Sequence, residues 1–207
     1  MKQIEDSYGD YQVQDVEKNL NLYNDWAKNY EKDHFDGGYN SPQFSVELLS
    51  KYIHKESKIL DVGAGTGLIG ENFVKLGYRN IEAMDMNEKM LSQAKTKNIY
   101  QGFHQQIMGK TLDFPNHAFD AISGVGVFTF GHAPAKSFDE LVRITKPGGY
   151  IMFTIRPEVY ETAGFKEKMT ELEEAGKWGH LEVSDKYACL PTADPNFLVQ
   201  VWIYQVK

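Results

Sequence analysis

The sequence predicts an α/β fold: a doubly wound, mostly parallel sheet with helices on both faces. Three observations carry that expectation. Short apolar runs of strand length alternate with stretches whose apolar residues recur at spacings of three and four, the rhythm of parallel strands crossed over by helices. Residues Ile59-Leu60-Asp61-Val62-Gly63-Ala64-Gly65-Thr66-Gly67 read as a buried strand that turns through a glycine-rich loop into a helix. Asp85 then ends the next strand, about 20 residues on, where a carboxylate can take two hydroxyls of a ribose.

Each element follows in order. Val13, Val16, Leu20, Tyr23, Ala27 and Tyr30 form an apolar stripe at helical spacing, so an amphipathic helix, or two short ones, precedes the first strand. A further helix is expected over 42–52, with Pro42 in its first turn. The strand over 57–62 leads into a helix over 67–76, where Ile69, Phe73 and Leu76 share one face and Gly77 caps the end. A strand over 80–85 and a helix over 88–97 repeat the unit, with Asn87 placed as N-cap. Strands are expected near 99–103 and over 118–124, and the next helix over 134–144 turns Phe138, Leu141 and Val142 inward. A strand over 149–155 and a helix over 163–175, ended by Gly176, complete the alternation. Two strand-like runs, 184–190 and 197–206, flank a turn over 191–196 and read as a hairpin.

The loop spacing separates two cofactor chemistries. A dinucleotide fingerprint is G-x-G-x-x-G, whereas Gly63, Gly65 and Gly67 give G-x-G-x-G, and Leu68 stands where the third glycine would fall. Asp61, just before the loop, would repel a pyrophosphate but suits a cofactor that carries an ammonium group. S-adenosylmethionine has that ammonium, a ribose diol for Asp85 and no phosphate.

An acid before G-x-G-x-G and an acid ending the second strand resemble the class I S-adenosylmethionine-dependent methyltransferases. Phe119-Asp120-Ala121-Ile122-Ser123 looks like that family's fourth strand, and Thr145-Lys146-Pro147-Gly148-Gly149-Tyr150 like its turn into the fifth. Tyr23-x-x-Trp26-Ala27-x-x-Tyr30 upstream and Thr154-x-Arg156 downstream more narrowly resemble the Williams-Beuren-region methyltransferase-like proteins. The resemblance runs from about residue 10 to the C-terminus. It implies a Rossmann-like, seven-stranded sheet whose antiparallel last strand inserts between the fifth and sixth. Residues 1–52 would then be an N-terminal helical lid on a single domain spanning 1–207.

Several site residues follow. Gly63, Ala64 and Gly65 form the cofactor loop, Asp61 faces the amino group of the methionine moiety, directly or through water, and Asp85 holds the ribose. Met86 offers a polarizable sulfur to the adenine face, and Met108, in the loop after the third strand, lies where relatives contact the adenine amino group. No acid stands there, so that contact would be made by backbone. Gly124 and Gly126, at the end of the fourth strand, would bring backbone near the methyl donor. Tyr30 and Trp26 sit on the helix that relatives fold over the site, where aromatic faces can stabilise a cation.

Substrate-side candidates are His132, as a proton acceptor, Arg156, as a grip for a carboxylate, and Trp26, Tyr30 and Tyr160. No catalytic residue is assigned, because methyl transfer by direct displacement depends chiefly on placement. The expected acceptor is a small molecule. A protein side chain, or a non-catalytic partner subunit of the same fold, is the alternative; a nicotinamide enzyme is disfavoured by Leu68 and Asp61.

Composition sets the outer limits. At 207 residues the chain suits one compact domain, and 42% hydrophobic with 25% charged residues is the balance of a folded globule. Net charge is −7 with no dense run of Lys or Arg, which disfavours a nucleic-acid partner. No apolar run approaches the roughly 20 residues that span a bilayer, and the polar, acidic stretch 1–15 does not read as a secretory signal. One cysteine, Cys189, cannot form an internal disulfide, so a reducing compartment, cytoplasmic or nuclear, is expected. The six scattered histidines show no metal-ligand spacing, and no metal is expected.

Overall fold

The computed structural model describes residues 16–26 and 29–207. Val13 and Ala27 of the N-terminal stripe, and the acidic stretch 1–15, lie outside the described residues. Three helices come first, α1 (Val16–Trp26), α2 (Tyr30–Asp36) and α3 (Ser41–Leu49). The alternating unit is β1 (Ile59–Val62), α4 (Leu68–Lys75), β2 (Ile81–Asp85), α5 (Glu88–Thr96) and β3 (Gly102–Gln105). It continues through β4 (Phe119–Phe128), α6 (Ser137–Ile144), β5 (Thr145–Ile155), α7 (Pro157–Thr162) and α8 (Phe165–Glu174). Three strands end the chain: β6 (Trp178–Val183), β7 (Tyr187–Leu190) and β8 (Asp194–Val206).

The main sheet runs β3-β2-β1-β4-β5-β8-β6. Strands β1 to β5 pair in parallel, and β8 enters antiparallel between β5 and β6. The expected fold class is thus present, with one correction. The sixth position of the sheet belongs to Trp178–Val183 and not to the 184–190 run, which supplies β7, an eighth strand paired only to β8. Helix α7 also occupies part of what reads as a loop in the sequence.

Strand alternation divides the core between the two faces of the sheet. Leu60, Val62 and Met84 point to the side packed by Phe138, Leu141, Phe165 and Met169 of α6 and α8. Ile59, Ile81 and Ala83 point to the other, packed by Val46 and Leu49 of α3, Phe73 of α4 and Leu91 of α5. Of the expected lid, α3 therefore belongs to this core layer. Helices α1 and α2 lie instead against the β7–β8 hairpin, where Trp26, Cys189, Leu190 and Val199 form a third cluster. Backbone bonds from Asn40 N–H to Cys189 O (3.1 Å) and Thr192 N–H to Gly37 O (3.1 Å) fix that contact. No helix among the described residues is long and apolar enough to cross a membrane.

Candidate cofactor and acceptor site

The site lies at the carboxyl ends of β1, β2 and β4, where an open parallel sheet leaves a crevice. The glycine loop leans over the end of β2: the N–H groups of Gly63 and Ala64 donate to Met84 O at 2.7 and 3.1 Å. One oxygen of Asp85 accepts from Gly65 N–H and the other from Asn87 N–H, both at 2.8 Å. That carboxylate clamps the two loops it lies between and keeps lone pairs for a ligand. Burial pushes its carboxyl up, and the N–H groups of Asn87, Gly65 and Met86 pull it back down. Asn87 in turn caps α5 by accepting from Met90 N–H (3.0 Å) and donates to Leu20 O of α1 (3.3 Å).

A cleft with about 750 Å³ of empty space, open in part to solvent, results. Gly63 and Gly65 of the glycine loop line it, with Asp85, Met86 and Met108. Tyr23, Tyr30 and His132 line it from α1, α2 and the loop after β4. The Tyr23 hydroxyl meets His132 Nε2 at 3.0 Å. Since Nδ1 lies 3.0 Å from the carbonyl of Phe130, which can only accept, the neutral ring donates there and accepts from Tyr23. Desolvation lowers the His132 pKa, which favours that neutral form. Burial, with Asp85 and Glu31 nearby, keeps the Tyr30 hydroxyl protonated.

The cleft gathers most but not all of the residues expected from sequence. Gly63, Gly65, Asp85, Met86, Met108, Tyr30 and His132 line it. Ala64 is buried in the loop and does not. Gly124 is a packing residue inside β4: a Cβ there would come to 2.7 Å from the ring of Phe128, and Gly126, two residues on, takes the cleft position. Trp26 is fully buried behind the cleft, its indole N–H donating to Asp33 at 2.7 Å, so it backs Tyr23 and Tyr30 and meets no ligand directly. Tyr160 stacks on Trp202 at 5.0 Å, away from the cleft. Arg156 lines a second, smaller cavity that shares Gly126 with the first. Sequence reasoning missed Tyr23, Met90, Gln106 and Val127 as cleft residues. Tyr23 lies seven positions before Tyr30 on one helical stripe, and that spacing was the available signal.

Asp61 sits beneath the loop and not in the cleft. Alternation sends its side chain to the Ile59 side of β1, where Oδ2 accepts from the Tyr100 hydroxyl at 2.6 Å and Oδ1 is buried without a partner among the described residues. Burial pushes the carboxyl up to about 7, the Tyr100 bond opposes this, and Asp85 adds to it. A folded pKa above the ordinary 3.8 means that the folded chain holds a proton the unfolded chain has lost, so stability falls as pH rises from about 4 to 7 and levels off above. The effect is on the order of a few kcal/mol. Asp61→Asn should flatten this part of the profile. Urea midpoints measured from pH 5 to 8 on both proteins check it, and parallel curves would refute it.

The residues fit the cofactor that the glycine loop and Asp85 imply. A Cβ at Gly65 would meet no protein atom within 4 Å, and the residue lines the cleft, so this is space a ligand can use. Asp85 would hold the ribose, while Met86 and Met108 offer soft sulfur to a flat base.

Known proteins agree. The family described as methyltransferase domain matches residues 60–153. Human methyltransferase-like protein 27 is 30% identical over 174 residues, covering 80% of this chain and 70% of its own. A ubiquinone/menaquinone biosynthesis C-methyltransferase of Burkholderia vietnamiensis is 26% identical over 158 residues, covering 72% and 65%. Among solved structures, an S-adenosylmethionine-dependent methyltransferase of Methanosarcina mazei superposes with a TM-score of 0.63 at 17% identity, covering 77% of this chain and 96% of that one. A possible histamine N-methyltransferase of Thermotoga maritima gives 0.62 at 20%, covering 87% and 95%. Likeness at that distance bears on the fold alone. Kinship across four-fifths of the chain makes this chain a member of the class I S-adenosylmethionine-dependent methyltransferases, with S-adenosylmethionine as its cofactor.

Proposed function

We propose that this chain methylates a small-molecule acceptor by direct displacement at the cofactor's methyl carbon. The observation that carries this reading is the roof of the cleft: Tyr23, Tyr30 and His132 line it together with Gly63 and Gly65 of the cofactor loop, and the Tyr23–His132 hydrogen bond ties α1 to the loop after β4. A cleft open only in part supports a small acceptor over a protein side chain, which needs an open approach for its backbone. Bound S-adenosylmethionine supplies an electrophilic methyl on a positively charged sulfur, with a neutral thioether as leaving group.

The chain's own contribution is placement. His132 is fixed at both nitrogens, Tyr30 stays neutral, and the carboxylate of Asp85 is committed to the loop and ribose side. The His132 ring thus orients Tyr23 and is not poised to take a proton. Holding reactants in line is worth effective molarities of about 10⁵ M or more, which suffices for a good nucleophile. Tyr23 and Tyr30 add aromatic surface for a cation, worth about 0.5 to 2 kcal/mol.

The test is incubation with methyl-labelled cofactor and two separate pools, a small-molecule extract and an extract of intact proteins. Label is expected in the first pool; label confined to proteins would overturn the reading. Tyr23→Phe should also loosen the roof. Loss of one hydrogen bond worth about 0.5 to 1.5 kcal/mol predicts a cofactor off-rate raised roughly 2- to 12-fold, read by stopped-flow fluorescence.

A further inference from the structure

Beside the cofactor cleft, the carboxyl ends of β4 and β5 and the β7–β8 hairpin border a second, much smaller cavity, open in part to solvent. Thr129, Thr154, Arg156, Cys189 and Phe197 are among the residues that line it. Gly126 lines both cavities, so the two adjoin at its backbone. A side chain there would come to 3.3 Å from the hydroxyl of Tyr39, which lines the second cavity.

Two polar groups in this cavity have no partner among the described residues. Thr129 is 7% exposed, and its hydroxyl is buried without a hydrogen bond; the same holds for Nε of Arg156. Buried polar groups are normally satisfied, and here two donors without a partner belong to residues of one cavity. The other groups point the same way. Thr154 Oγ1 accepts from Gly126 N–H at 2.9 Å, which leaves its hydrogen to donate. Burial pushes the Cys189 thiol up to about 12, so it is a neutral, weak donor. Among the described residues no carboxylate lines the cavity, and Arg156 is its only cation. The guanidinium lies over the Phe197 ring at 4.3 Å from the centroid, beside Phe128 and Val199.

We propose that this cavity is the acceptor subsite for a carboxylate: Arg156 and Thr129 hold the acid group of a small apolar acid whose other end reaches the cofactor cleft past Gly126. Nη2 of Arg156 also pairs with the half-exposed Glu158, which already shares the guanidinium charge. A monoanionic carboxylate therefore matches the site better than a dianionic phosphate ester. The cavity takes the acid group while the body of the acid lies toward the cofactor cleft, and the group to be methylated is distinct from the one that is gripped. The inference rests on the methyl-transfer reading for its meaning, but binding at this cavity can be measured without turnover.

The experiment uses the full chain, with and without the demethylated cofactor product. Phenylacetate, 4-hydroxybenzoate and indole-3-acetate are the probes, with their primary amides and phenyl phosphate as controls, read by saturation-transfer NMR and calorimetry. The acids should bind at least tenfold tighter than the amides. Arg156→Met should weaken the acids tenfold or more and leave the amides unchanged; Thr129→Val, which keeps the side chain's shape, should weaken them about threefold to tenfold. Acids binding no better than amides, or phenyl phosphate binding better than either, would overturn the proposal. So would Thr129→Val raising the melting temperature with acid binding unchanged, the mark of a water-filled packing defect. Titration of the same proteins with S-adenosylmethionine keeps the two readings apart: cofactor binding without acid binding removes the subsite alone, and acid binding without cofactor binding removes the methyltransferase reading alone.

Discussion

Asp85→Ala is expected to weaken S-adenosylmethionine binding by about 2 to 4 kcal/mol, roughly 30- to 900-fold. Hydrogen bonds to a charged acceptor are worth about 1.5 to 3 kcal/mol each, and a ribose diol offers this carboxylate one or two. The same mutation strips the partners from Gly65 N–H and Asn87 N–H, so the glycine loop and the start of α5 both loosen. Asparagine is no milder control, because its amide hydrogens would face one of those N–H groups. A cycle in the ligand separates the two effects. The demethylated cofactor and its 2′,3′-dideoxy analogue are titrated into both proteins by calorimetry, and a coupling of more than about 1 kcal/mol assigns the ribose to Asp85. Equal losses for the two ligands would mean that Asp85 only shapes the loop, and unchanged affinity would remove it from the site.

The alternation of strand and helix was legible because the strands of a parallel sheet are buried on both faces and read as unbroken apolar runs. β1 is buried at all four positions, and its run stands out. The edge strand β6 gave no such signal. Only Trp178 of its six residues is buried, Gly179 interrupts it, and Leu181 and Val183 are 40% and 37% exposed. The more apolar stretch after it drew the strand assignment instead, and that stretch folds as β7, the added strand that carries α1 and α2. The end of β4 was read short for a related reason. Gly124 and Gly126 look like loop, yet the strand continues to Phe128 through a register shift against β5.

The site divides along the same line between what the chain states locally and what tertiary placement decides. The loop glycines, Asp85 and Met86 are local to a strand end, and their order along the chain places them. Gly124 and Gly126 should share a face by alternation, but the register shift between Gly124 and Phe128 re-aims the backbone, leaving one in the core and the other at the cleft. Asp61 adjoins the loop in sequence, yet the pleat turns it beneath the loop toward Tyr100. Trp26 and Tyr23 lie three apart on α1, and nothing local tells which ring faces the core and which the ligand. Arg156 follows the end of β5; that it lines a separate cavity depends on the hairpin that borders it.

Gly63→Ala is expected to cost stability, whereas Gly65→Ala should cost cofactor affinity, although the two glycines look alike in the sequence. Both have positive φ, +67° and +54°, so each alanine carries a backbone penalty of about 1 to 2 kcal/mol. They differ in what the new methyl meets. At Gly63 it would lie 2.0 Å from Cγ2 of Val127, a collision with a half-buried, β-branched side chain near the end of β4. Overpacking of that kind adds about 1 to 3 kcal/mol, for a total near 2 to 5 kcal/mol, a third or more of the stability of many domains. Val127→Ala should relieve the collision but not the backbone penalty, so the double mutant should be more stable than the sum of the single effects predicts. At Gly65 the methyl meets no protein atom within 4 Å and projects where the cofactor approaches the backbone. Its melting curve should show only the backbone cost, while calorimetry shows S-adenosylmethionine bound at least tenfold more weakly, about 1.4 kcal/mol. A Gly63→Ala protein that melts like the parent would mean that β4 yields freely at Val127, and a Gly65→Ala protein with intact affinity would move the cofactor off the loop altogether.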